Sequence, residues 1–270
     1  MTDFTINQRF EFLADTIDMI ATRDMKSALV VGDGGLGKSF TVFRQLGRNG
    51  YTEMSTTQTT DVVSVLEQLS NSGITNLDKF KAAAKKVAQS KVYVTVKGYS
   101  TAKGLYRTLY ENRNSVLVFD DCDKILKDDV AVNILKAALD SYNTRIITWN
   151  SEAISDLPKS FEFTGSVVFI SNLPMNQIPQ SLITRTCPID VTMTRQEIVT
   201  RMNQIVIEGE FMRDVSMEIK LEALEFIAEN VNNENVKTIN LRTLSLIITN
   251  RRCKPNNWKN LSLSMMICAR

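Results

Sequence analysis

The dominant pattern along the chain is a series of short, largely unbroken apolar runs: Ser27–Val31, Val92–Val96, Ser115–Phe119, Val167–Ile170 and Ile189–Val191. Runs rich in Val, Ile and Phe without polar alternation predict strands covered on both faces, the environment of a parallel sheet. Between them, apolar residues recur every three or four positions over Phe10–Ala21, Asp61–Leu69, Leu77–Val87, Ala102–Tyr110 and Val130–Leu139, as in helices with one buried face. Strand and helix patterns in alternation predict an α/β core with a mainly parallel sheet. After Val191 the strand pattern stops, and Arg195–Glu208, Met217–Asn230, Ile239–Thr249 and Asn257–Cys268 read as helices. The expected organisation is an α/β core over residues 1–191 and a small all-helical domain over 192–270, closely packed and without a low-complexity linker.

Composition narrows the class. In 270 residues, 43% hydrophobic content with only 11 Gly and 5 Pro supports a sizeable core and excludes a fibrous or disordered chain. No apolar stretch reaches the ~18 residues of a membrane span. The start, Met1-Thr-Asp-Phe-Thr, lacks the basic and apolar regions of a signal peptide. Cys122, Cys187, Cys253 and Cys268 are widely spaced, with no Cys-x-x-Cys pair to hold zinc. These features predict a cytoplasmic protein with reduced thiols and no membrane partner.

Histidine is absent, which removes Ser-His-Asp and Cys-His catalysis and imidazole-ligated metals. Any chemistry must use carboxylates, Lys, Arg, backbone amides or a carboxylate-bound metal. The net charge of +2 is uneven: Val231–Arg270 carries seven Lys/Arg against one acid. In that end, Arg251, Arg252 and Lys254 beside Trp258 could contact phosphate and a base, or could simply form a solvated helix face.

The chemistry concentrates in two motifs. Gly32-Asp33-Gly34-Gly35-Leu36-Gly37-Lys38-Ser39 fits G-x-x-x-x-G-K-[ST], follows an apolar strand and opens a helical pattern through Phe40. Glycines let the backbone curl its N–H groups around an anion, and the helix N-terminus adds its dipole. Residues 32–40 are therefore the expected nucleotide-binding segment, with Lys38 on the β- and γ-phosphates and the Ser39 hydroxyl on Mg²⁺. Val116-Leu-Val-Phe-Asp120-Asp121 ends a buried strand in carboxylates, at the sheet edge where open α/β folds bind ligands. Asp120 is expected to hold Mg²⁺ with Ser39, and Asp121 to orient or deprotonate an attacking water. Cys122 reads as a packing residue rather than a nucleophile.

With these motifs in place, the chain resembles the AAA+ ATPases over roughly residues 10–250, most closely the small single-ring type similar to those encoded by tailed phages. The resemblance implies a P-loop NTPase core with a helical lid, ATP and Mg²⁺ as cofactors, ATP hydrolysis, and a homo-oligomeric, hexameric ring that remodels or threads DNA or protein. In phages such proteins serve DNA replication, helicase loading or protein remodelling. By the same resemblance, Val167-Val-Phe-Ile-Ser171-Asn172 matches the sensor-1 strand, and Asn172 would position the lytic water. Ile178-Pro-Gln-Ser-Leu-Ile-Thr-Arg185-Thr-Cys is similar to the segment carrying the arginine finger, and Asn240-Leu-Arg242 to the lid arginine called sensor 2. Each has a plainer rival: Asn172 suits the cap of the turn before Pro174, Arg185 could be a surface cation with Arg195 or Arg201 the finger, and Arg242 could be one of several helix-surface cations.

Departures from the family pattern are visible. The usual catalytic glutamate is Asp121. The 82 positions from Lys38 to Asp120 are unusually many, implying added helices within Tyr51–Gln89. Arg145–Trp149 and Phe161–Phe163 read as two short strands, either a surface hairpin or the channel hairpin of some AAA+ and superfamily 3 helicases. Lys97, Tyr99 and Lys103 follow the second core strand, where relatives present side chains to a threaded polymer. Two other classes compete: a nucleotide-dependent signalling switch of the STAND type, and a P-loop small-molecule kinase. The first lacks its Thr-Thr-Arg signature here, where the chain has Ser171-Asn172-Leu173; the second would need neither a lid arginine nor one acting in trans.

Overall fold

A computed structural model describes residues 4–54, 91–98, 101–140, 142, 144–149, 157–209 and 211–268. The expected helices over Asp61–Leu69 and Leu77–Val87, and Tyr99, lie outside the described residues. Helices α1 (Ile6–Ala21), α2 (Lys38–Arg48), α3 (Ala102–Glu111), α4 (Asp129–Ala138) and α5 (Gln180–Ile183) alternate with strands β1 (Ser27–Val31), β2 (Thr52–Glu53), β3 (Val92–Lys97), β4 (Val116–Asp120), β5 (Ile146–Thr148), β6 (Ser160–Glu162), β7 (Ser166–Ser171) and β8 (Cys187–Asp190). Helices α6 (Arg195–Ile207), α7 (Met217–Asn230), α8 (Leu241–Cys253) and α9 (Trp258–Cys268) follow. This is the expected α/β arrangement with C-terminal helices, consistent with a P-loop NTPase core. Among the described residues, no helix is long and apolar enough to cross a membrane.

Strands β2-β3-β4-β7-β1-β8 form one sheet in that order. The β2–β3, β3–β4, β4–β7 and β7–β1 pairs are all parallel. β1, β4 and β7 are buried along their whole length, which is why they read as continuous apolar runs. Phe119 and Phe169 stack across the β4–β7 pair with centroids 4.9 Å apart. Strand β2 had no signal in the pattern: two exposed residues, Thr52 and Glu53, add to the sheet by backbone pairing alone.

The two short strands before β7 do form an antiparallel hairpin, β5–β6. Its base is tied down: Arg145, buried, donates to the carbonyls of Ala138 and Gly165 at 2.8 and 2.6 Å and lies over the Phe163 ring. Burial lowers the Arg145 pKa, but carbonyl oxygens satisfy the guanidinium. Gly165, just before β7, is a required small residue, because a Cβ there would sit 2.3 Å from the Ser115 carbonyl oxygen.

Contacts divide the chain into two compact units: Phe12–Val31 with Ser39–Ile189, and Met1–Glu11 with Gly32–Lys38 and Asp190–Arg270. In the second, Thr194 and Glu197 form a capping box that starts α6, and Arg9 bonds both Glu197 and the Thr192 carbonyl. Burial works against the Glu197 charge, but the Thr194 bonds and Arg9 outweigh it and hold the carboxyl below its ordinary value.

Candidate functional site

The glycine-rich loop Gly32–Ser39, the expected phosphate loop, leaves β1 as the sequence pattern requires. Gly35 and Gly37 adopt φ of +74° and +93°, where a Cβ would be strained. Lys38 is buried at 5% exposure, and its ammonium donates to the carbonyls of Gly32 and Asp33 at 2.6 and 2.8 Å. The lysine thus lies along its own loop, within reach of an anion seated there. In the same unit, the Leu241 N–H donates to the Gly35 carbonyl at 2.9 Å, and the Asn240 side chain fills the space a Cβ at Gly35 would need. Asn240 also caps α8, accepting from the Thr243 N–H at 3.0 Å. The sensor-2 candidate Arg242 is therefore the second residue of a helix whose first residue is bonded to the phosphate loop, and its side chain is exposed.

The other unit holds the carboxylates. Asp120 ends β4 with 7% exposure, and the Ser39 hydroxyl donates to its Oδ1 at 2.9 Å. Hydroxyl and carboxylate, separated by 81 positions, thus converge as two hard oxygen ligands. Mg²⁺ typically takes one or two protein oxygens and completes its shell with phosphates and water, so the pair fits that ion when phosphate is present. Among the described residues no group of three or more Cys, Asp or Glu side chains is placed to hold a metal ion.

Asp121 follows at φ +56°, an uncommon conformation for a residue with a side chain. The Asn172 amide donates to its Oδ1 at 2.7 Å. The carboxylate expected to activate water and the residue expected to position it are hydrogen-bonded partners, brought together because β7 lies beside β4. The neighbouring Ser171 hydroxyl donates to Asp123 at 2.6 Å and accepts from the Leu173 N–H, so the turn before Pro174 is held by Ser171. Cys122 is buried, and its thiol donates to the Val96 carbonyl. Burial and then the carboxylates of Asp120, Asp121 and Asp123 push its pKa up to about 11, so it is protonated and unreactive at neutral pH.

The arginines separate cleanly. Arg185 is exposed; its guanidinium rests on the Ser181 carbonyl at 2.9 Å, and its own carbonyl accepts from Ser27 on β1. Its rivals are spent elsewhere: Arg195 donates to the carbonyls of Val231, Asn233 and Val236, and Arg201 lies buried over the Phe10 ring at 4.0 Å. Phe40, after Ser39, is 52% exposed with the Arg44 guanidinium over its ring.

The base-stacking reading of the C-terminal end is corrected. Trp258 is 6% exposed and packs edge-on against Phe226, so it has no free face for a base. Arg251 pairs with Glu222 and Arg252 with Asp214. Sequence reasoning counted the cations of this segment alone; the acids that answer them lie 29 and 38 positions upstream. It also overlooked Lys97 as a neighbour of Asp120, at 3.8 Å from Oδ2. That pairing becomes readable only once β3 and β4 are known to be adjacent.

No family model matches the chain. It is 25% identical, over 279 aligned residues, to the "Uncharacterized 36.7 kDa protein in nrdC-mobD intergenic region" of Enterobacteria phage T4, an alignment covering 95% of this chain and 73% of the relative. Among solved structures, PCH-2 of C. elegans matches at a TM-score of 0.36 and 12% identity, over 97% of this chain and 67% of that one. No residue role is carried over from a superposition that loose.

Proposed function

We propose that the chain is a Mg²⁺-dependent ATPase of the AAA+ kind, working in the cytoplasm as a homo-oligomeric, hexameric ring on a nucleic-acid or protein polymer. The observation that carries this reading is the paired arrangement of the two motif carboxylates: Asp120 bonded to Ser39, and Asp121 bonded to Asn172. A glycine-rich loop alone would support any phosphate binder. A second carboxylate held by an amide at the next strand end supports hydrolysis.

In this reading the Gly32–Ser39 backbone cradles the phosphates, and Lys38 exchanges its loop carbonyls for phosphate oxygens. Ser39 and Asp120 hold Mg²⁺, which offsets phosphate charge when bound. Asp121 accepts a proton from the attacking water while Asn172 keeps the carboxylate aimed. Arg242, beside the loop, answers charge from the same chain. Arg185 does so for the neighbouring subunit.

The test is hydrolysis measured against protein concentration. Specific activity rises on assembly, because an isolated subunit lacks a neighbour's Arg185. Arg185→Ala binds ATP nearly normally but turns it over about 10³-fold more slowly, as fingers do in related NTPases. Mixing Arg185→Ala with Lys38→Ala restores part of the activity, since some interfaces then combine one intact residue of each kind. Flat activity on dilution with a dead mixture would sink the ring and favour a monomeric switch or kinase.

A further inference from the structure

The metal ligand Asp120 carries two neighbours, one on each oxygen. Ser39 donates to Oδ1 at 2.9 Å, and the Lys97 ammonium lies 3.8 Å from Oδ2. We infer that Lys97 is an internal counter-cation: it answers the Asp120 charge in the metal-free protein and must yield when a divalent ion arrives, which raises the metal concentration at which the site fills. This rests on the assignment of Asp120 and Ser39 as metal ligands made above.

The placement follows from sheet register. β3 and β4 run parallel with Lys97 opposite Asp120, so both side chains leave the carboxyl edge at the same level. Gly98, at φ +82°, ends the strand immediately afterwards and leaves Lys97 as its last residue. The two partners differ in exposure, and the difference gives the pair a direction of movement. The Asp120 side chain is 10% exposed and the Lys97 side chain 64%. A nearly buried carboxylate needs a positive neighbour, because desolvation penalises an unanswered charge. A mostly exposed lysine loses little by leaving, since water solvates its ammonium.

Lys97 also has a second support. Its ammonium lies 5.8 Å from the centroid of Phe43 on α2, and Phe43 stacks on Tyr93 of β3 with centroids 5.6 Å apart. The ring gives the cation a place beside the site that does not involve Asp120. The separation of 3.8 Å is too long for a hydrogen bond, so the attraction is charge on charge and is lost to a stronger, doubly charged competitor at the same carboxylate. Around this point Asp121 and Asp123 add negative charge, which favours any cation and makes the identity of the resident one matter.

The consequence is a threshold. Without Lys97, Asp120 would face solvent metal as an open anionic ligand. With it, metal entry must displace a tethered cation, so the metal alone binds more weakly than it does with the additional oxygens of a bound phosphate chain.

Metal binding, rather than activity, tests this. In the full-length chain, Lys97→Met keeps an unbranched aliphatic side chain and removes the charge; Lys97→Arg keeps a charge. Binding of a fluorescent, slowly hydrolysed ATP analogue is followed while Mg²⁺ is titrated, and Mn²⁺ alone is titrated by electron paramagnetic resonance without nucleotide. Lys97→Met should lower both metal midpoints about three- to tenfold, the range expected of a partly exposed charge pair. Lys97→Arg should stay within about twofold of wild type. Unchanged or higher midpoints in Lys97→Met, with its melting temperature intact, would overturn the inference. Failure of wild type to bind nucleotide at all would instead strike the phosphate-loop assignment, and the Mn²⁺ arm would still decide the role of Lys97.

Discussion

At the carboxyl edge of the sheet, Asp120, Asp121 and Lys97 come from two adjacent strand ends, and Ser39 and Asn172 reach them from elsewhere in the fold. On α7 and α8, Glu222 meets Arg251, and Asp214, just ahead of α7, meets Arg252. Both regions hold acids and bases in contact, but the contacts differ in what they leave available. At the sheet edge the carboxylates are met by a hydroxyl donor, an amide donor and a more distant ammonium charge, all groups that a metal or water can displace or share. On the helices each carboxylate faces a guanidinium in a charge-assisted bond. The hydrogen bond and charge of Arg251 hold the Glu222 carboxyl below its ordinary value, which lets that pair persist further into acid. Abundant charge is therefore a poor guide to a site. The kind of partner each charge already has is a better one.

The contrast can be broken most severely at Asp121. Asp121→Asn keeps the Asn172 neighbour and Asp120, the proposed metal ligand, but removes the proposed proton acceptor. It should bind ATP while hydrolysing it about 10²–10⁴-fold more slowly, measured by nucleotide retention on a filter and by phosphate release. Loss of binding as well would move Asp121 from water activation to metal holding.

A smaller effect tests whether the sheet-edge geometry depends on strand placement. Gly165→Ala must push a Cβ away from the Ser115 carbonyl, 2.3 Å distant, at the start of the strand that delivers Asn172. Denaturant unfolding should register a loss of about 3 kcal/mol. A neutral result would mean that β7 shifts freely against β4.

Cys122 gives a pH test of the same region. Its thiol titrates near 9.0 when unfolded and is pushed up to about 11 in the fold, so the folded state holds its proton longer. Stability present below pH 9 should fall between about pH 9 and 11, and Cys122→Ser should flatten that part of the curve. The same slope in both proteins would remove Cys122 as its source.

The helical region should respond least. Arg251→Ala with Arg252→Ala breaks two surface pairs and should leave the denaturant midpoint nearly unchanged, with no change in single-stranded DNA binding. A steep, salt-dependent loss of DNA binding would restore the nucleic-acid role that the ion pairs and the burial of Trp258 argue against.

The sequence alone was enough for features whose cause is local. Gly35 and Gly37 take positive φ because no Cβ opposes it, and Lys38-Ser39 opens a helix directly after β1, so the phosphate loop is legible in eight consecutive residues. The core strands were legible because burial on both faces permits only apolar side chains at successive positions. What the tertiary structure decided lies between residues far apart in the chain: Asn172 against Asp121, Lys97 against Asp120, Arg251 against Glu222, and the buried face of Trp258. Strand order β3-β4-β7 sets the first two pairings and helix packing the others. A linear pattern records which side chains are polar or apolar, but a charge acquires its role from the group across from it, and that neighbour is chosen only when the chain folds.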